Sequence, residues 1–268
     1  MVRIESPSSV NTYFQCPRKY YYSYKLKLPR TDSIATITGK SVHDALEKFF
    51  VLGSLGMTQE NYVSEFQHRL MSQFNDIWAK AIPSLLKLNI NKDTITKHYN
   101  DTMGMLRNFA GHVINQINAE MKKGKTFQKA FSHVKPQTEI HLTSDTHMVQ
   151  GYVDALHEKD DFIKVVDYKT SKRDHMSEDY RRQLAIYALL YHENFNKLPN
   201  KVGLYFLRQG TERDLDVDFG LVEEAKEALK KVHESTNSEL IEDYPKEKSP
   251  LCKWSTGQCD FYESCFKS

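Results

Sequence analysis

The chain has 268 residues, with 37 Lys and Arg, 35 Asp and Glu and a formal net charge of +2. Its 11 Gly and 8 Pro fall below the roughly 7% and 5% of an average soluble domain. That excludes collagen-like, low-complexity and broadly disordered chains and favours long helices. The longest apolar run, Leu184 to Tyr191, stops at eight residues, short of the roughly 18 that a membrane span needs. The opening MVRIESPSSV has no apolar signal-peptide core. A soluble, cytoplasmic protein without a membrane partner is the expectation, read as a single domain over 1–268.

Ser8 or Ser9 is the expected cap of a first helix carrying Tyr13, Phe14 and Cys16. Pro17 opens a second short helix in PRKYYYSYK, since proline is tolerated in a first turn. Residues 30–38 read as a loop. GKSVHDALEKFF (39–50) has apolar residues at helical spacing: Val42, Leu46, Phe49 and Phe50. From about 58 to 133 the pattern stays helical, broken at Pro83 and at the polar stretch 89–93, and 54–135 is read as a helical insertion. After Pro136 the character changes to short strands at 137–142, 147–158 and 162–168, with turns at Ser144-Asp145 and Asp160-Asp161. A helix over about 178–194, a strand near 201–208, a turn at Gln209-Gly210, a strand at 213–218 and a helix over 221–236 follow. The order predicts an α/β fold, a mixed sheet flanked by helices.

Charge is distributed unevenly. Residues 1–30 carry +5 and residues 80–135 carry +7, while residues 210–247 carry −7. Such an oriented field suits a polyanion held on one face.

The chemistry concentrates in QGYVDALHEKDDFIKVVDYKT. Asp154 falls on one strand and Asp167 on the next, and Lys169, two residues further on, shares a strand face with Asp167. Two carboxylates converging at a hairpin end can hold a hard divalent cation, and a lysine beside them can orient water or stabilise charge on a phosphate. His43, on the helix opened by Gly39, offers an imidazole as a further ligand. Gln183 and Tyr187, at i and i+4, share a helix face, and Arg181 and Arg182 beside them can contact backbone phosphates. Cys16 stands near the start, while Cys252, Cys259 and Cys265 cluster at the end. Four thiols gathered from both termini suit an iron–sulfur cluster or structural zinc, with disulfides or free thiols as the remaining alternatives.

Together, the CPRKYYY around Cys16, GKSVH (39–43), QGYVD (150–154), DYKT (167–170), QLAIY (183–187) and the three terminal cysteines resemble the RecB-like branch of the PD-(D/E)xK nucleases. The resemblance is to members with an iron–sulfur clasp: CRISPR-associated adaptation exonucleases, the nuclease domain of AddB (a component of a helicase complex) and exonuclease V. It implies a restriction-endonuclease-like core and a Mg²⁺- or Mn²⁺-dependent deoxyribonuclease acting as an exonuclease on single-stranded DNA or DNA ends. The implied pathways are DNA repair and recombination or CRISPR adaptation, with a helicase or CRISPR integrase as partner. His43, Asp154, Asp167 and the Tyr168 carbonyl would be metal ligands, and Lys169 would position the attacking water. Gln183 and Tyr187 would line the DNA path, and Glu139 matches an acidic position on the preceding strand. Cys16 with Cys252, Cys259 and Cys265 in segment 249–268 would hold a [4Fe–4S] cluster. The competing reading is a DNA-end-binding accessory protein with a vestigial nuclease site.

Overall fold

The computed structural model describes residues 3–254 and 257–266. Positions 1, 2, 255, 256, 267 and 268 lie outside the described residues, so the 1–268 domain and the 249–268 clasp segment are described only in part. Helix α1 (Pro7–Gln15) is capped by Ser6, not by Ser8 or Ser9. Ser9 closes a reciprocal capping box with Ser6, and Pro7 takes the first helical position, where its missing N–H costs nothing. Helix α2 (Pro17–Tyr20) runs on into a π-helical stretch, Tyr21–Lys25.

Helix α3 (Ile34–Leu52) begins inside the stretch read as a loop, with the Ser33 side chain accepting the Thr36 N–H. The β-branched residues of Ile34–Thr38 are poor helix formers and hid this start. Helix α4 (Tyr62–Leu86) contains Pro83 rather than ending there. The proline sits near the C-terminal end, and burial of Ile77, Trp78 and Leu85, each contributing about 1.5–3 kcal/mol, offsets the roughly 3 kcal/mol proline penalty. Helices α5 (Lys92–Lys122) and α6 (Phe127–Val134) complete this helical group.

Strands β1 (Gln137–Ser144), β2 (Val149–Lys159), β3 (Phe162–Lys169), β4 (Lys201–Phe206) and β5 (Thr211–Asp216) form one sheet in chain order. Only β3 and β4 pair in parallel; the remaining neighbours are antiparallel. Helix α7 (Glu178–Phe195) makes the crossover between β3 and β4, as a parallel pair requires. Helix α8 (Phe219–Ser235) packs with α7.

Two apolar cores sit on opposite sides of the sheet. Val153, Val165, Leu204 and Phe206 pack against Leu184, Leu189 and Leu229. Ala155, Val166, Tyr168 and Tyr205 pack against Phe50, Phe109 and other residues of α3–α6. The result is an α/β fold with a mixed five-stranded sheet flanked by helices. Beyond it, β6 (Lys253–Trp254) and β7 (Gly257–Gln258) form a short hairpin ahead of α9 (Tyr262–Phe266). No helix among the described residues is long and apolar enough to cross a membrane.

Candidate active site

The register of β1 and β2 pairs Thr138 with Ala155 and Ile140 with Val153, leaving Glu139 and Asp154 between these pairs. Glu139 has φ of 51°, a left-handed conformation that costs a non-glycine residue on the order of 1–3 kcal/mol and tends to persist at functional sites. Val153 and Leu156 both pack on the α7 side of the sheet, so the alternation of β2 slips by one at Asp154. This local break turns the two acidic side chains toward α3.

His43 on α3 meets them there. Its Nδ1 lies 3.1 Å from Asp154 Oδ1, and ligand atoms of His43, Glu139 and Asp154 all fall within 4.8 Å of one another. The other Asp154 oxygen accepts the Tyr168 backbone N–H at 2.7 Å. Burial alone would lower the His43 pKa, but the Asp154 hydrogen bond and charge, with Asp167 behind, outweigh it and push it up to about 9. Burial, then the charges of Asp154 and Glu47, raise Glu139 to about 7. A carboxylate cluster that resists ionisation in the absence of a counter-charge is one that a divalent cation would relieve.

Asp167 stands on β3, facing α7, and is 4% exposed. Gln183 Nε2 donates to its Oδ1 at 2.7 Å and Tyr187 Oη donates to the same oxygen at 3.3 Å. Its Oδ2 lies 2.7 Å from Lys169 Nζ but has no well-directed hydrogen bond. Lys169 Nζ donates instead to Gln183 Oε1 at 2.8 Å and lies over the Tyr180 ring, 4.9 Å from its centroid. Burial works against the ammonium, but the Asp167 carboxylate prevails and holds it protonated. Burial raises Asp167 in turn.

The structure thus forms two adjacent groups linked through Asp154, which accepts from the residue following Asp167. One is His43, Glu139 and Asp154; the other is Asp167, Lys169, Gln183 and Tyr187. Tyr168 contributes backbone here, and its ring is buried on the other side of the sheet, edge-on to Phe109. Arg181 is bound to Glu224 of α8 at 2.6 Å. Arg182 bonds Asn11 and Asp179 and lies over Phe14. Both arginines serve helix packing in this structure. Tyr180 escaped the sequence reading, although its spacing with Gln183 and Tyr187 on one helix is the signal that reveals it.

Gly151 explains its own place in QGYVD. A Cβ there would come within 3.2 Å of both Tyr187 and Leu190 side chains, so the missing side chain lets α7 sit close on β2 beside the site. The four cysteines are free thiols and line one small cavity between α2 and the C-terminal tail. The termini also meet through Arg18 Nε to Tyr244 O at 2.7 Å and Tyr22 Oη to Ser264 O at 3.0 Å.

The pattern of the PD-(D/E)XK nuclease superfamily matches residues 5–266, and the chain belongs to that family. It is also similar to one component of an ATP-dependent helicase/nuclease from Listeria welshimeri, at 26% identity over 147 residues. That match takes in 47% of this chain and 12% of the length of the relative. Among solved structures, a candidate exonuclease from Eubacterium rectale aligns over 86% of this chain and 78% of its own, at 11% identity and a TM-score of 0.46.

Proposed function

We propose that this nuclease is a Mg²⁺- or Mn²⁺-dependent deoxyribonuclease that hydrolyses single-stranded DNA or DNA ends as an exonuclease, working beside a helicase or an integrase. The observation that carries the reading is the convergence of His43, Glu139 and Asp154 beside the Asp167–Lys169 pair. An imidazole and two carboxylates are a donor set that suits Mn²⁺ or Mg²⁺, and the under-bonded Asp167 Oδ2 offers a further hard oxygen. When bound, the metal supplies Lewis acidity to a phosphate oxygen and lowers the pKa of a coordinated water.

The residues of the chain supply the remaining steps. Lys169, held protonated, donates to the incoming water or to a non-bridging phosphate oxygen and stabilises the charge that develops there. Gln183 and Tyr187 act as positioning residues: they bond Asp167 Oδ1 and leave Oδ2 facing Lys169. Asp154 fixes β3 by accepting the Tyr168 N–H. Helices α4–α6, within the proposed 54–135 insertion, and their basic residues guide the strand to these residues.

The same reading gives Cys16, Cys252, Cys259 and Cys265 a structural [4Fe–4S] cluster that ties the first helices to the tail. It is supported by four free thiols from both termini lining one cavity, a thiolate set of the right number for such a cluster.

The deciding experiment incubates anaerobically purified protein with end-labelled single-stranded DNA and Mn²⁺, beside Lys169→Ala. Cleavage by the wild type alone supports the reading. Binding without cleavage by either protein refutes the enzyme and favours the end-binding accessory protein.

A further inference from the structure

Ile140, Leu142, Val149 and Val153 turn toward α7, and a Cβ on Gly151 would point there too. The intervening residues therefore face the other side of the β1–β2 ribbon, up to the break in alternation at Asp154. Further along β2 that side is covered by the helical group, but at the Val149 end it is open. Tyr152 is 57% exposed there, and its direct cross-strand partner His141 is exposed as well. The two rings stack at 4.5 Å between centroids with only 19° between their planes. His141 is fixed from its edge, its Nε2–H donating to Gln150 Oε1 at 3.1 Å.

A cross-strand aromatic pair stabilises a hairpin by about 0.2–1 kcal/mol. That accounts for the stacking but not for leaving a large ring open to solvent at this place. His141 and Tyr152 stand two residues from Glu139 and Asp154 on the same two strands. Two residues along a strand span about 7 Å, within reach of one extended nucleotide. A flat, pre-oriented ring is what a nucleobase needs as a stacking surface, and such stacking tolerates every base.

We infer that the Tyr152–His141 pair is a base-stacking platform of the active site. It receives the base of the nucleotide next to the scissile phosphate and so sets that phosphate over Glu139 and Asp154. The inference rests on the proposed nuclease reading and adds to it a substrate-positioning pair. It also assigns the substrate class as strands whose bases are unpaired near the cut, because a base inside a duplex cannot present its face to the ring.

Two readouts test it. Single-stranded oligonucleotides carrying one 2-aminopurine, scanned through the terminal positions, are titrated with Mn²⁺ and the Lys169→Ala protein, which lacks the lysine proposed to act in cleavage. Quenching is expected at one position, abolished by adding Tyr152→Ala and retained with Tyr152→Phe. In steady state, Tyr152→Ala in the otherwise wild-type chain is expected to raise KM for single-stranded DNA about fivefold to a hundredfold, the range of one lost stack, with kcat much less affected. Tyr152→Phe restores the wild-type value. An abasic nucleotide at the quenched position should make the wild type behave like Tyr152→Ala and leave the variant unchanged.

Normal KM for Tyr152→Ala in an active enzyme, or equal sensitivity of both proteins to the abasic site, overturns the platform and leaves the nuclease standing. A wild type that neither binds nor cuts overturns both.

Discussion

Asp154 accepts the backbone N–H of Tyr168 at 2.7 Å, just where the β2–β3 ladder stops after Ala155 and Val166. One carboxylate oxygen therefore does what the next ladder bond would have done, and the other is free to meet His43 at 3.1 Å. The acidic side chain is at once a strand fastener and one of the three groups of the candidate metal site.

That dual role separates two substitutions. Asp154→Asn keeps an oxygen for the Tyr168 N–H and relieves the like-charge repulsion that helps to raise Glu139. Asp154→Ala leaves a partly buried donor unpaired, at about 1–3 kcal/mol. Both variants should lose nuclease activity, while urea unfolding places Asp154→Asn within about 1 kcal/mol of wild type and Asp154→Ala below it. Equal stability of the two would show that the Tyr168 bond contributes nothing.

Metal affinity should rise with pH. In the metal-free protein His43 is pushed up to about 9 and Glu139 to about 7, so near neutrality both sites still hold protons that a cation must displace. Calorimetric titration of Mn²⁺ in buffers of different ionisation enthalpy should register proton release near pH 7 and tighter binding near pH 9. His43→Ala should weaken binding and reduce the release.

Lys169→Ala strands the Asp167 carboxylate. Asp167 is already raised by burial, and without the ammonium it rises further above its unfolded value. Across that interval the native state binds more protons than the unfolded state, so stability falls as pH rises. The variant should therefore lose more stability at about pH 8 than at about pH 5, and Lys169→Ala with Asp167→Asn should flatten the difference. Thermal melts at the two pH values read this directly.

The opposite sign belongs to His157. Half-buried on β2, with Nδ1 buried and unpartnered against a cavity of about 110 Å³ shared with His112, Gln116 and Tyr205, it is driven down to about 3, first by desolvation and then by Lys159 and Lys164. Between about 3 and 6.5 the unfolded chain binds the proton that the native imidazole refuses, so His157 costs stability as pH falls through that range. Glu212 is held down to about 2, chiefly by its contact with His112, against the cost of burial, and it adds to the acid loss below 4.5. His157→Gln should raise the melting temperature relative to wild type at about pH 5 more than at about pH 8. An identical gain at both would remove the imidazole from the acid limb.

Much of this site was legible because its signals are local. The spacing of Asp167 and Lys169 fixes a shared strand face, the i, i+4 spacing of Gln183 and Tyr187 fixes a shared helix face, and both pairs meet at Asp167. Other features depend on tertiary packing. The left-handed backbone at Glu139, the slip of alternation at Asp154 and the diversion of Arg181 to Glu224 leave no periodic trace. Pro83 shows the same limit within a helix, because the apolar face of α4 overrides the local breaker. Ser6 won the first cap because Ser9 was needed to complete it.

Gly39 offers a final test, since nothing in the fold requires it. A Cβ there would meet only Thr170 Oγ1, at an ordinary 3.8 Å, and glycine inside α3 costs about 1 kcal/mol relative to alanine. The residue lies one helical turn before His43, and the atom nearest its missing side chain belongs to the residue after Lys169. On the proposed nuclease reading, a bare backbone here would let a phosphodiester strand approach His43 and Lys169. Gly39→Ala should melt higher than wild type, by about 0.5–1 kcal/mol in stability, while its KM for single-stranded DNA rises with metal binding unchanged. A variant that is both more stable and fully active would show that the strand passes elsewhere.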